Sequence, residues 1–163
     1  MAFDSQTWRR WVLVLGSLGP LGYLPASGSM TVLLVGVPVF YFTRNWTVET
    51  HSLTLFGWIV VSILIHHFGD RWLGEKDSQK LVWDELAGFW VAVAFVPFSW
   101  PLAAAAVLIE RTLDILKFPP AGAIERHWPG AWGVVGDDVV AGLYTCSILH
   151  LAIAFAPNWF GVS

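Results

Sequence analysis

This chain of 163 residues is poor in charge and in sulfur: only 13% of its residues are Asp, Glu, Lys or Arg, and it has one cysteine. A lone cysteine cannot form an internal disulfide, and the apolar run around Cys146 reads as the setting of a buried structural thiol. The nine basic residues form no stripe, and a net charge of −3 with a pI near 5.9 argues against nucleic acid as a partner. The five histidines contain no H-x-x-x-H pair and no Cys/His cluster accompanies them, so nothing points to zinc. No internal repeat is present, and the one low-complexity tract, Ala103–Ala106, is ordinary small-residue helix packing.

What the chain has is apolar surface. It is 56% hydrophobic with a mean hydropathy of +0.61, and its length suits one compact helical bundle rather than two domains. The expected fold is therefore all-α: a single membrane-embedded domain over residues 1–163 with about four spanning helices. Tryptophan placement supports a bilayer, because Trp8, Trp11, Trp46, Trp72, Trp83, Trp100, Trp128 and Trp159 fall near the ends of apolar runs, where indole prefers the headgroup level. Trp58 and Trp90 lie inside runs and read as packing residues.

Leu53–Phe68 and Val139–Ala156 are the clearest spans, each slightly short of the roughly 20 residues a straight crossing needs. Met30–Phe42 is shorter, and its Gly36 and Pro38 predict a bent helix packed on neighbours. Between Trp83 and Ile109 the apolar stretch is too long for one span and is interrupted by residues 97–101, which predicts a hairpin with arms near Val82–Phe98 and Pro101–Lys117. Arg9-Arg10 before Trp11–Leu15 loosely imitate a signal peptide, but Gly16, Gly19, Pro20, Gly22 and Pro25 break the run. A re-entrant or interfacial N-terminal segment with exposed backbone amides, able to bind anionic oxygen, is the expectation; a flexible lead-in loop is the alternative.

Basic residues orient the bundle. Arg71, Lys76 and Lys80 precede the hairpin and Arg111, Lys117 and Arg126 follow it, which places both segments in the cytoplasm. That topology brings Asp84-Glu85, Asp114 and Asp137-Asp138 to one membrane level. Acids near membrane segments need a reason, since one at mid-bilayer costs roughly 2.5–3.5 kcal/mol on insertion scales. A shared cation is the natural one: clustered carboxylates cannot all stay ionised in a poorly hydrated site without positive charge, and hard oxygen donors suit Mg²⁺.

Each residue also has a plainer explanation. Asp84 and Glu85 could only complement a helix N-terminus, although Glu85, Gly88 and Ala92 recur at helical spacing with small side chains that admit a close neighbour. Arg111, Asp114 and Lys117 could be an ion-pair ladder, or Asp114 a metal ligand with Arg111 and Lys117 on phosphate oxygens. Asp137 and Asp138 sit where a flexible loop with Gly130, Gly133 and Gly136 is expected to become a helix, so either could cap that helix, leaving the other as a ligand. Asp77 reads as a solvated loop acid or a further ligand. His66 and His67 could be ligands, but read more simply as interfacial side chains.

Three ordered motifs, Asp77 with Asp84-Glu85 and Gly88, Arg111 with Asp114, Lys117 and Pro119, and Gly133 with Asp137-Asp138 and Ala141-Gly142, together resemble the phosphatidylglycerophosphatase A family. The resemblance covers about residues 70–145. It extends more loosely to Pro25-Ala26-Ser27-Gly28-Ser29, which looks like a shortened Pro-Gly-Thr-x-Gly-Ser, and it departs at Lys117-Phe118-Pro119-Pro120, where the family has Lys-Pro-Trp-Pro.

The resemblance implies a bacterial inner-membrane, multi-pass enzyme with its site facing the cytoplasm. It would hydrolyse the terminal phosphate of phosphatidylglycerophosphate with Mg²⁺ to give phosphatidylglycerol. It further implies Asp77, Asp84, Glu85, Asp114, Asp137 and Asp138 as metal ligands, with Asp84, Glu85, Asp114 and Asp138 catalytic and Arg111 and Lys117 on the substrate phosphate.

Other phosphatase chemistries lack their residues here. Cys146 has no Arg six positions on, no Asp-x-Asp pair occurs, and Pro25–Ser29 has no His. A CDP-alcohol phosphotransferase would need an absent Asp-Gly-x-x-Ala-Arg segment. A cation channel or transporter would spread its acids through the bilayer depth. Small-residue faces at Gly88/Ala92 and Ala103–Ala106 could pack within one chain or between copies in a homo-oligomer.

Overall fold

The structure is a computed structural model that describes residues 5–161; the ends of the expected 1–163 domain, residues 1–4 and 162–163, lie outside the described residues. All regular structure among the described residues is helical: α1 (Ser5–Gly16), α2 (Ser27–Thr31), α3 (Val37–Phe42), α4 (Val48–Leu73), α5 (Trp83–Ala92), α6 (Trp100–Leu116), α7 (Ala121–His127) and α8 (Ala131–Phe155).

Local chemistry sets the ends. Thr47 caps α4 by accepting from the Thr50 amide at 3.3 Å, and Gly74, at φ 75°, closes it by donating to the Asp70 carbonyl. Ser99 caps α6 in the same way, accepting from the Leu102 amide. Between α2 and α3 the chain forms one π-helical stretch, Val32–Gly36, where the Val37 amide reaches the Val32 carbonyl. Pro38 follows directly, and its missing N–H and ring bulk account for the widened turn. The expected bend in this segment is thus a π-bulge within Ser27–Phe42.

Two helices, α4 and α8, are long and apolar enough to cross a bilayer. Both are longer than the apolar runs that announce them: α4 continues past both ends of its run, and α8 begins eight residues before its run, at Ala131. Their outer faces are apolar and uncovered: Leu53, Phe56, Val61 and Leu64 on α4, and Leu143, Ile148, Leu151 and Phe155 on α8, are exposed. The hairpin is less regular than expected. Its first arm is helical for only ten residues, about 15 Å, before turning at residues 93–95, whereas α6 runs about 25 Å.

The short α5 is the centre of the molecule. Eight of its ten residues are buried, and Phe89 and Trp90 join Val32, Phe40, Leu102, Ala106 and Leu149 in one core. It meets α8 almost backbone to backbone. A Cβ at Gly142 would collide with the Gly88 carbonyl, and one at Gly88 would lie 3.0 Å from the Asp138 Cβ. Gly133 and Gly136 serve α7 likewise, since a Cβ at Gly133 would come within 2.8 Å of the Trp128 carbonyl. This corrects the expected flexible Gly-rich loop: residues 131–136 are already helix, and Gly130, at φ 54°, is the cap. Asp137 and Asp138 therefore lie about 9 Å into α8 and cap nothing.

Gly142→Ala is expected to destabilise the protein by roughly 1–3 kcal/mol, because backbone atoms cannot yield to the new methyl group. Gly57→Ala, with nothing within 4 Å of its Cβ, is expected to be neutral or slightly stabilising. Thermal unfolding in detergent followed by circular dichroism checks both.

Candidate active site

Four segments bring charge to one end of the bundle: the C-terminal turns of α4 with the loop after it, the first turn of α5, the last two turns of α6, and the second and third turns of α8. On α5, Asp84 is buried and Glu85 half-buried; one turn further on, Gly88 provides the close approach to α8. Asp138, one turn before Gly142, is carried to the same place. The charges of Asp84, Asp138 and Arg111 all act on Glu85.

Arg111 is the main counter-charge. Its Nε and Nη2 both donate to the Glu110 carboxylate at 2.6 Å, its Nη2 also reaches Asp138 at 3.3 Å, and its Nη1 lies 3.4 Å from Asp114. Lys117, in left-handed backbone at the end of α6, pairs with Asp137 and stands 3.5 Å from Asp114 and 3.8 Å from Glu125. The ion-pair ladder of Arg111, Asp114 and Lys117 is present, and its pairs extend to both acids of α8.

Asp77 lies in the loop after α4 at φ 58°. Although the residue is exposed at its surface, partial desolvation and then the charge of Asp84 hold its carboxyl above the usual range, against the pull of Lys117 and His66. Asp77 is therefore within electrostatic reach of the other acids.

Three participants were not legible in advance. Glu110 is completely buried and takes the Arg111 fork; the only signal was a second acid beside Arg111. His66, expected at the interface, is completely buried, with Nε2 3.1 Å from Asp84 and Nδ1 3.4 Å from Asp70; only His67 is exposed as expected. Asp70 in turn accepts from the Asp77 and Ser78 amides at 3.3 Å each. The i, i+4 spacing of His66 and Asp70 was the available clue.

The N-terminal segment also reaches the site. Ala26, at φ 51°, turns the chain so that the Ser27 hydroxyl donates to the Gln79 carbonyl at 2.6 Å. Gly28 then lies against the Glu85 carboxylate, where any Cβ would strike it.

The donor set suits a hard divalent cation in chemistry and charge. Asp77, Asp84, Glu85, Glu110, Asp114, Asp137 and Asp138 face two permanent cations, Arg111 and Lys117; Glu85 Oε2 and Asp137 Oδ1 are buried without a hydrogen-bond partner, and the buried Asp84 Oδ1 has His66 Nε2 3.1 Å away. Among the described residues no three His, Cys, Asp or Glu side chains close around a common point as they stand. The fit is one of donors and charge rather than of a finished cage.

An all-helical protein with two helices able to span a bilayer and a buried carboxylate cluster at one end is the class that the fold and site define. The family model of phosphatidylglycerophosphatase A matches residues 14–153, and the chain belongs to that family of phosphatases. Phosphatidylglycerophosphatase A of Escherichia coli (strain K12) is 28% identical over 147 residues, which cover 90% of this chain and 83% of that protein. The Haemophilus influenzae protein of the same name is 32% identical over 78 residues, 47% of this chain and 48% of its own length. A Bacteroides thetaiotaomicron protein named putative phosphatidylinositol-3-phosphatase is 30% identical over 102 residues, 55% of this chain and 62% of its own. No solved structure matches the chain.

Removing Arg111 strands Glu110 in the interior. Arg111→Met is expected to cost about 3–5 kcal/mol of stability, and adding Glu110→Met to recover a substantial part of it, since an apolar pair suits this position better than an uncompensated charge. Thermal unfolding of the single and double variants in detergent measures both.

Proposed function

We propose that this protein hydrolyses the terminal phosphate of phosphatidylglycerophosphate, releasing inorganic phosphate and phosphatidylglycerol, at the carboxylate cluster and with Mg²⁺. Family membership supports the reaction, and the observation that carries the site is the pair of buried, unpartnered oxygens on Glu85 and Asp137 beside Arg111 and Lys117. The protein is taken as a multi-pass protein of the bacterial inner membrane. In this reading α4 and α8 span, α5–α6 and Ser27–Phe42 are embedded beside them, and α1 with the following turn lies at the interface, which gives the acids a cytoplasmic aspect under the positive-inside rule.

Asp77, Asp84, Glu85, Asp114, Asp137 and Asp138 would hold one or two Mg²⁺. The metal supplies neutralisation of phosphoryl charge and easier ionisation of the attacking water. The chain's own residues do the rest. Glu85 Oε2 and Asp137 Oδ1, free of hydrogen-bond partners, are the oxygens available to take the proton of the incoming water. Lys117 offers a point charge to the phosphate. Arg111, its fork held by Glu110, keeps Asp114 and Asp138 in place through Nη1 and Nη2 and adds its charge to the field in which the phosphate sits. Burial of α5 and of Arg111 keeps bulk water from one side of the cluster, so the buried charges there act at reduced dielectric.

A second reading, hydrolysis of a different phosphomonoester lipid, draws on the Bacteroides relative's name. Purified protein in detergent is expected to release phosphate from phosphatidylglycerophosphate with Mg²⁺ and not with EDTA. Asp84→Asn is expected to lower the rate by at least about 100-fold, as loss of a charged group at a reacting centre does. Faster release from phosphatidylinositol 3-phosphate would favour the second reading, and no release from either lipid by folded protein would overturn both.

A further inference from the structure

We propose that His66 and Asp70 are positioning residues that hold Asp77 and Asp84 together as one unit. The two acids are seven positions apart, joined by a loop with no regular helix of its own, and Asp77 sits in left-handed backbone. The geometry of that loop is fixed from α4. Its apolar end is anchored where Leu81 lies over Gly69, whose missing side chain makes the space; a Cβ there would come within 2.7 Å of Leu81. Its polar end is held by the Asp70 carboxylate, whose two oxygens accept from the Asp77 and Ser78 amides.

His66 joins this anchor to the site. One turn before Asp70 and completely buried, it places Nδ1 3.4 Å from Asp70 Oδ2 and Nε2 3.1 Å from Asp84 Oδ1. The ring thus lies between the two carboxylates, hydrogen-bonded to Asp70 through Nδ1 and in close contact with Asp84 through Nε2. The run Asp84, His66, Asp70, Asp77 is a continuous line of polar contacts through α4. Because α4 is a 26-residue helix while the loop is irregular, the helix is the rigid member and the two acids are the ones positioned.

The unit's expected consequence for cation affinity rests on the Mg²⁺ reading above; its consequence for the loop does not. The test uses full-length protein in detergent, without substrate, as wild type, His66→Ala, His66→Gln, Asp70→Asn and the double variant His66→Ala with Asp70→Asn. Hydrogen exchange of residues 74–82 is followed without metal, and thermal stability is followed against Mg²⁺ concentration.

Asp70→Asn and His66→Ala are both expected to speed exchange in the loop, although His66 does not itself bond to a loop amide. Each is expected to raise the Mg²⁺ midpoint by roughly 10–100-fold, the usual effect of losing a residue that orients a metal ligand. The double variant should be no worse than the poorer single variant, since both break one line. His66→Gln, which keeps a donor near the Nε2 position, should restore part of the midpoint.

Additive losses, or wild-type exchange in the two single variants, would overturn the proposal. Should His66→Ala fail to fold, Asp70→Asn, at a partly exposed position, decides by the same two readouts. If wild type shows no stabilisation by Mg²⁺, the metal reading fails, and the exchange measurements still decide whether the unit exists.

Discussion

The crossing of α5 over α8 at Gly88 and Gly142 is the constraint on which the site depends. Each glycine lies one helical turn after an acid, Asp84 and Asp138 respectively, so the place where the two backbones touch is also the place where the acids are brought alongside each other. A larger residue at either glycine would separate the helices and move those acids apart. The same contact lets a ten-residue helix, too short to be stable alone, be buried on nearly all sides and act as the core of the molecule.

Bringing so many carboxylates together creates a problem that the chain solves only in part. Arg111 and Lys117 pair with Glu110, Asp114, Asp137 and Asp138, and His66 serves Asp84 and Asp70. The arrangement leaves single oxygens of Glu85 and Asp137 buried without a hydrogen-bond partner. A buried polar atom left without a hydrogen bond costs about 1–3 kcal/mol, so the folded chain carries that cost at its acidic cluster. Stability and chemistry are in this sense opposed at the site, as is common where binding residues are held ready.

The site is also assembled from more of the chain than the three acidic motifs. The Pro25–Ser29 segment, fixed by Ser27 on Gln79, lays Gly28 against Glu85, and α4 contributes His66 and Asp70 through its last turns. These pieces meet neighbouring residues in the first turn of α5, Gly28 at Glu85 and His66 at Asp84. A substituent at Gly28, far in sequence from any acid, would therefore act directly on Glu85.

The sequence by itself determined the elements. Apolar runs announced α4 and α8, the interruption at residues 97–101 announced the break before α6, and Gly36 and Pro38 announced the bend before Phe42, because hydrophobic burial and backbone sterics are local enough to be read along the chain. The helical recurrence of Glu85, Gly88 and Ala92, with small side chains, already hinted at a close neighbour. Tertiary structure decided what those letters mean. Gly133 and Gly136 read as a loop because glycine is a poor helix former, yet they are helical, since close packing against α7 outweighs a propensity of about 1 kcal/mol per residue. His66 read as interfacial from its place at the end of an apolar run, and it is buried because Asp70 and Asp84 surround it. Glu110 had no partner in view until the Arg111 fork turned back to it. Charge pairing depends on which side chains meet in space, and that is set by helix rotation and crossing, which no local pattern in the sequence specifies.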